Sequence, residues 1–532
     1  MKRFVVLLLI MSSVSHLWAD RASDTRQLHR YWEARSKIVS MYVDTVNEDK
    51  MTENAIVGML ENLDPHSVYI NKEAKAKANE PLVGNFEGIG VQFIMLKDTL
   101  HVESIIPGGP SEKVGILAGD RIVSVDDTII VGVRMSSTDV MKRLRGKKGT
   151  VVNVKVKRAG QRELMPFRIV RDKIPLHSVV ASFMVTPTIG YIKLVRFSET
   201  TYDEYKNAMK KLMSEGMTDL VLDLEANGGG YLDQAIRIAD EFIDENAKVL
   251  STRGRRMSKT YTAGTGGLFT KGRIVILIDG SSASAAEILA GSMQDLDRAV
   301  LVGRRTYGKG LVQQPIPLSD GAEMRLTVAR YYIPSGRCIQ RSYEEGLQKY
   351  KQDAIERYNR GELTSSDSIH FPDSLKYKTL KLERTVYGGG GIMPDYYVPI
   401  DTTEASSYLA KLISGGILQS YSAQVADKNE KIWRKKYPKV STYMKEFVVE
   451  EEILHGLIEA GKEGEVKYDE QGYQRSRRLI ENNLKAMFAR RLFGEEGFYR
   501  VINEQSDIYL KAMDLLQKSG EYDLLLQKGL EK

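Results

Sequence analysis

The stretch Arg273-Ile274-Val275-Ile276-Leu277-Ile278-Asp279-Gly280-Ser281-Ser282-Ala283-Ser284-Ala285-Ala286-Glu287-Ile288 decides the reading of this chain. An unbroken apolar run with no polar alternation predicts a strand over 273–279 buried on both faces. The run empties into small residues, after which a helix is expected over 283–296. A serine at that junction sits where the first N–H groups of a helix lack partners and the helix dipole is positive. Two readings stand open on this segment alone. One is a serine-rich N-cap. The other is a nucleophile whose small neighbours let a substrate backbone approach.

Outward from this segment, strands and helices alternate. Strands are expected over 190–195 and 219–224, and helices over 201–215 and 231–246, which argues for an α/β layer structure. Downstream lies Thr306-Tyr307-Gly308-Lys309-Gly310-Leu311-Val312-Gln313, with Lys309 between two glycines at a strand start. Residues 309 and 313 share one face of a strand. A lysine amine activates a serine only when neutral, which requires desolvation, and Gln313 can hold it by hydrogen bond without adding charge. Upstream, Leu222-Asp223-Leu224-Glu225-Ala226-Asn227-Gly228-Gly229-Gly230 ends a buried strand in three glycines. Their amides suit an oxyanion hole, a phosphate cradle or a tight turn.

The chain has 532 residues, enough for several domains. Residues 1–19 read as a secretory signal, with Lys2 and Arg3 before an apolar run and Ala19 at the cleavage site; an uncleaved anchor is the other reading. Residues 20–84 read as a helical region whose periodic stretch is ended by Leu63-Asp64-Pro65-His66-Ser67, since the residue before a proline resists the helical conformation. Residues 85–172 carry short strands and glycine turns around one helix, 137–144, as in a small β-rich domain. The α/β layer occupies 173–402, with a polar insertion at 345–385 expected as a surface excursion. Residues 403–532 read as a charged helical extension. The whole is a multidomain α/β chain.

Composition removes several functions. Lys and Arg total 77 against 70 Asp and Glu, a net +7 without a dense basic tract, so nucleic acid is not an expected partner. The one cysteine, Cys338, excludes an internal disulfide and a cysteine-based metal cluster, and it reads as a small core residue. The seven histidines lack ligand spacing, so no metal or other cofactor is expected. Asp64, His66 and Asp223 read as turn and strand-end residues, and His177 has no catalytic context.

Together the three segments resemble the carboxyl-terminal processing (tail-specific) serine peptidases, from about residue 35 to 400. In that resemblance Ser284 matches the catalytic serine three residues before the Glu of an S-A-S-x-E-I segment. Lys309 and Gln313 match the lysine and glutamine of G-K-G-x-V-Q, and the backbone amides of Ala285 and Gly229 match the oxyanion donors. Glu225 stands where the family usually has Arg, Gly228 replaces a frequent Pro, and Ala286 a frequent Ser. The β-rich unit resembles a PDZ domain, whose G-Φ-G-Φ loop would here offer Ile89, Gly90 and Val91 to a peptide's terminal carboxylate.

The resemblance implies a crotonase/ClpP-like core and a Ser–Lys endopeptidase that cuts exported proteins near free, apolar C-termini. The signal segment points to export, with the periplasm as the expected setting, and whether the helical extension makes a homo-oligomer or docks an adaptor stays open at this point. Two other classes remain open at this point. A crotonase-like acyl-thioester enzyme sits poorly with export, and a catalytically silent peptide-binding adaptor sits poorly with intact Ser284, Lys309 and Gln313.

Overall fold

In the computed structural model, which describes residues 25–528 except 97, 107, 159 and 519, the deciding run is the strand Ile274–Ile278, buried throughout. The expected signal segment, 1–19, lies outside the described residues. The strand is central in a six-stranded sheet, ordered Val179–Met184, Ile189–Leu194, Asp219–Asp223, Ile274–Ile278, Val300–Gly303 and Tyr396–Tyr397. The first pair is antiparallel and the others run parallel.

Alternation along these strands sorts their side chains into two cores, because successive residues point to opposite faces. Leu220, Leu222, Ile274, Ile276 and Leu301 pack against the helices Thr201–Ser214, Leu232–Asp240 and Ala285–Asp295. Val221, Val275, Leu277, Val300 and Val302 pack instead against Ile508, Ala512, Leu515, Leu516 and Tyr522. Those belong to the C-terminal helices Asp507–Gln517 and Glu521–Lys528. The end of the helical extension therefore supplies the second face that a parallel sheet needs.

The helix expected over 231–246 stops at Asp240. There the N–H groups of Phe242 and Ile243 donate to the carbonyls of Ala239 and Asp240, three residues back. This tighter turn sends the chain toward the strand Lys248–Arg253.

The β-rich unit is a sheet ordered Val91–Leu96, Thr99–Ile105, Arg121–Val125, Val151–Lys157 and Met165–Val170. Its helix, Ser137–Leu144, begins where the Ser136 hydroxyl accepts from the Asp139 N–H at 3.1 Å. The extension opens with the helices Ser407–Ser414, Ile417–Lys436, Val440–Glu446 and Glu451–Glu463, followed by Glu470–Ile502, kinked at Gly494. These five enclose a core of their own around Trp433, Tyr443, Phe447 and Phe488.

By contact density the chain divides into two units: the described residues up to 71 with 314–326, and 72–313 with those from 327 onward. The first unit holds helices over 25–41 and Glu48–Glu61. It also holds a strand absent from the sequence reading, Val68–Ile70, antiparallel to Glu323–Arg325. The Asp64 carboxylate accepts from the N–H groups of His66 (2.8 Å) and Ser67 (2.9 Å), closing the turn before that strand.

Candidate active site

The turn after Ile274–Ile278 separates its three serines. Asp279 Oδ1 accepts from the N–H groups of Ser281 (2.9 Å) and Ser282 (3.0 Å), an Asx turn that reverses the chain. Ser282 is fully buried, and its hydroxyl donates to the Leu224 carbonyl at 2.8 Å. Ser281 is exposed. Ser284 is half-buried at the N-cap of Ala285–Asp295, with φ 55° and ψ −114°. That backbone geometry costs a non-glycine residue roughly 1–3 kcal/mol and persists where the surroundings over-determine it. It is the geometry of a strand-to-helix elbow, which presents a hydroxyl at the end of a sheet.

What over-determines it is Glu287. Its buried carboxylate takes four hydrogen bonds: from the Ser284 N–H (2.9 Å), the Lys309 N–H (2.9 Å), the Gly308 N–H (2.7 Å) and the Thr306 hydroxyl (2.5 Å). The first two fall on the same oxygen, Oε2. Burial raises the Glu287 carboxyl, and the four donors oppose that shift without cancelling it. Four donors and no acceptor describe the partners of an ionised carboxylate. Tyr331 adds a second tie, its hydroxyl lying 2.5 Å from the Lys309 carbonyl and 3.2 Å from the Ser284 carbonyl. Two residues twenty-five positions apart are thus held at both backbone polar groups.

Lys309 is half-buried in the loop before the strand Leu311–Pro317, not on the strand itself as expected, and its Nζ donates to Gln313 Oε1 at 2.8 Å, so the two side chains still meet. The expected surface insertion reaches this loop. Arg357, buried on the helix Leu347–Asn359, donates to the carbonyls of Thr306 (2.8 Å) and Tyr307 (3.2 Å). The insertion is a brace for the lysine loop rather than a detached excursion.

The glycine run lies against the elbow. Gly229 has φ 92°, and a Cβ there would come within 2.6 Å of the Ala283 carbonyl oxygen, 2.8 Å of Ser284 Cβ and 2.9 Å of the Ala285 nitrogen. Only glycine fits. Its N–H donates to Asn227 Oδ1 at 2.9 Å, so the amide singled out from the sequence is engaged. Among the described residues the N–H groups of Gly228, Gly230 and Ala285 make no hydrogen bond. Asn227 is fully buried, and its Nδ2 donates to the Leu194 carbonyl at 2.7 Å.

In the β-rich unit, Gly90 takes φ 78° at the start of the edge strand Val91–Leu96. The Ile89 carbonyl accepts from the Ser111 N–H (3.0 Å) and hydroxyl (2.7 Å), and the Gly90 carbonyl accepts from the Ile106 N–H (3.0 Å). The carbonyls are tied back, while among the described residues the Ile89 and Gly90 N–H groups donate to nothing. That is the donor arrangement of an anion nest beside a free strand edge.

The model of peptidase family S41 matches residues 188–348, and that of the PDZ domain matches 88–166. The N-terminal domain of the activating protease CtpB matches 11–74, and a family of unknown function matches 408–494. A carboxy-terminal-processing protease of Bartonella bacilliformis is 37% identical over 63% of this chain and 78% of its own length. The chain belongs to this protease family. A second relative, the carboxy-terminal processing protease CtpB of Bacillus subtilis, is 32% identical over 63% of this chain and 70% of its own. Among solved structures, a photosystem II D1 C-terminal processing protease is 28% identical, covering 58% of this chain and 83% of that one, with a TM-score of 0.33.

This serine peptidase carries an acid at its glycine loop. Burial first, then the Asp223 charge, pushes the Glu225 carboxyl up to about 8, with Asp279 adding and with Lys193 and Arg304 opposing. The folded chain therefore holds a proton on Glu225 that the unfolded chain has already released above about pH 4.5. Its contribution to stability is full below that value and is lost as pH rises to about 8. Glu225→Gln removes this dependence. Melting temperatures from pH 5 to 9 should show the variant gaining on the wild type as pH rises, and parallel curves would overturn the assignment.

His177 pairs with Glu204 at 3.6 Å, and burial pushes the Cys338 thiol up. Among the described residues no cluster of His, Cys, Asp and Glu is placed to hold a metal ion. The sequence reading missed Tyr331 and the bridging work of Glu287 and Asn227. Glu287 was visible as a motif position, whereas nothing near Tyr331 in sequence marks it.

Proposed function

We propose that this peptidase cleaves exported proteins near their C-termini through Ser284 and Lys309. The observation that carries the reading is the single Glu287 oxygen that takes both their backbone N–H groups. Neutral Lys309 accepts the Ser284 proton as Oγ attacks the scissile carbonyl carbon, and Gln313 orients the amine. The oxyanion is held by the Ala285 amide and by one from the glycine run. Of that run, Gly228 and Gly230 are unoccupied, while Gly229 serves once Asn227 releases it. Collapse of the tetrahedral intermediate breaks the C–N bond, and the Lys309 ammonium protonates the leaving amine. Water, deprotonated by the same lysine, then releases the acyl group and restores Ser284. Because the working base is the unprotonated amine, turnover rises with pH.

The PDZ-type unit selects the tail. Ile89, Gly90 and Val91 supply amides to the terminal carboxylate, the peptide adds a strand along Val91–Leu96, and apolar side chains are favoured by Val91 and Phe93. Residues 1–19 direct export, and a periplasmic location fits a tail reader of exported proteins. The test compares one protein substrate with an apolar tail, the same tail amidated, and the same tail ending in Asp. The first should be cut at least about tenfold faster, since the amidated tail loses a charge-assisted contact of about 1.5–3 kcal/mol. Equal rates on all three would remove tail selection from the reading.

A further inference from the structure

Beneath the glycine loop lies a buried cation that the proposed chemistry does not use. Lys193 sits on the strand Ile189–Leu194 in register with Asp223 and is 5% exposed. Its Nζ donates to Asp223 Oδ1 (2.7 Å) and to the Glu225 carbonyl (2.7 Å). Asp223 Oδ1 also accepts from the Glu225 N–H (2.8 Å), and Oδ2 from the Tyr191 hydroxyl (2.6 Å). Glu225 is thus gripped at both of its backbone polar groups by one ion pair.

From that anchor the loop has little freedom. The Ala226 N–H donates to Asp279 Oδ1 (3.1 Å), the carboxylate that also shapes the serine elbow. The Asn227 carbonyl accepts from the Ala283 N–H (2.9 Å), and its side chain donates to the carbonyl of Leu194, the residue after Lys193. Gly229 then meets Ser284 and Ala285 at the distances given above. The C-terminal extension closes the pair from water: the Tyr499 ring centre lies 5.8 Å from Lys193 Nζ, and the Tyr191 ring packs on Tyr509 at 5.7 Å. Burial works to lower the Lys193 amine, but Asp223 overrides it and holds the ammonium charged. A buried ion pair contributes little net stability, so its presence calls for another role.

We infer that Lys193 is a positioning residue for the reaction, setting through Asp223 and the Glu225 carbonyl the place at which the glycine-loop amides meet the oxyanion. This rests on the reading of Ser284 as nucleophile. It also gives the helical extension a part in the active site, as the cover of this pair.

The test compares full-length Lys193→Met, Lys193→Arg and Ser284→Ala with wild type on a tailed substrate, with a peptide boronate as tetrahedral analogue. Lys193→Met should lower kcat about 10- to 100-fold, up to the loss seen when one oxyanion donor is removed. KM should stay within about twofold, and boronate affinity should fall by the kcat factor. Lys193→Arg, which keeps the cation, should recover most of both. A folded Lys193→Met enzyme with undiminished kcat and boronate affinity overturns the inference. If that variant does not fold, Tyr191→Phe, which removes one donor from Asp223 and leaves the ion pair, decides: the same split in kcat supports it, and unchanged kcat overturns it. Cleavage by Ser284→Ala would instead bring down the reading of Ser284 as nucleophile on which this inference rests.

Discussion

Ser284→Ala is expected to abolish cleavage, with kcat falling about 10⁴-fold or more, the scale on which loss of a nucleophile registers. Lys309→Ala should do the same. Lys309→Arg should not restore activity, because a guanidinium stays charged and cannot take the serine proton. The fold should survive all three: Ser284 is half-buried, and the backbone ties to Glu287 and Tyr331 do not involve the altered side-chain atoms. Ser282→Ala is the discriminating partner. It removes the hydrogen bond to the Leu224 carbonyl, so it should cost about 1–3 kcal/mol of stability while cleavage persists. Turnover on a tailed protein, read by mass spectrometry beside thermal melts, checks all four. Near-wild-type cleavage by Ser284→Ala or Lys309→Ala would sink the dyad, and a folded but inactive Ser282→Ala would move the nucleophile two residues upstream.

How much of this was legible depends on the range of the interaction that fixes each feature. The helix Ser137–Leu144 was readable end to end because its cap is local, three residues from cap to partner. The central strands Asp219–Asp223 and Ile274–Ile278 were readable because apolar runs buried on both faces leave no polar alternation, whereas Val179–Met184, Val300–Gly303 and Tyr396–Tyr397 in the same sheet were not read. The strand Val68–Ile70 was not, since its three residues gain meaning only from a partner more than 250 positions away. The charged C-terminal helices were legible as helices, but nothing in their pattern says that Ile508 and Leu516 cover Val275 and Leu277. The glycine run shows the same limit at the site. Three adjacent glycines read as a turn with spare amides, and only the Asn227 side chain decides that the middle one is engaged.

Glu287 carries the other large effect. Its carboxylate presents two oxygens to four donors, so any neutral replacement leaves donors facing nothing. Glu287→Gln keeps the shape but offers one acceptor and one donor. In one amide orientation the Thr306 hydroxyl and Gly308 N–H lose their partner; in the other, the Ser284 and Lys309 N–H groups do. Each buried donor left unmade costs about 1–3 kcal/mol, so the amide should take the less costly orientation and the loop should relax around it. Either way the bridge between nucleophile and base is weakened on one side. We expect kcat to fall about 10²-fold with KM nearly unchanged, because a misplacement near 1 Å costs that much without altering tail binding. Glu287→Ala should lose stability as well, since it strands all four donors beside a new cavity. Glu287→Asp should behave like Gln, as one methylene less cannot reach Ser284 and Lys309 on one side and Thr306 and Gly308 on the other. A Glu287→Gln enzyme that melts like wild type and keeps its kcat would mean that Ser284 and Lys309 hold their places without the carboxylate, leaving Tyr331 as the tie between them.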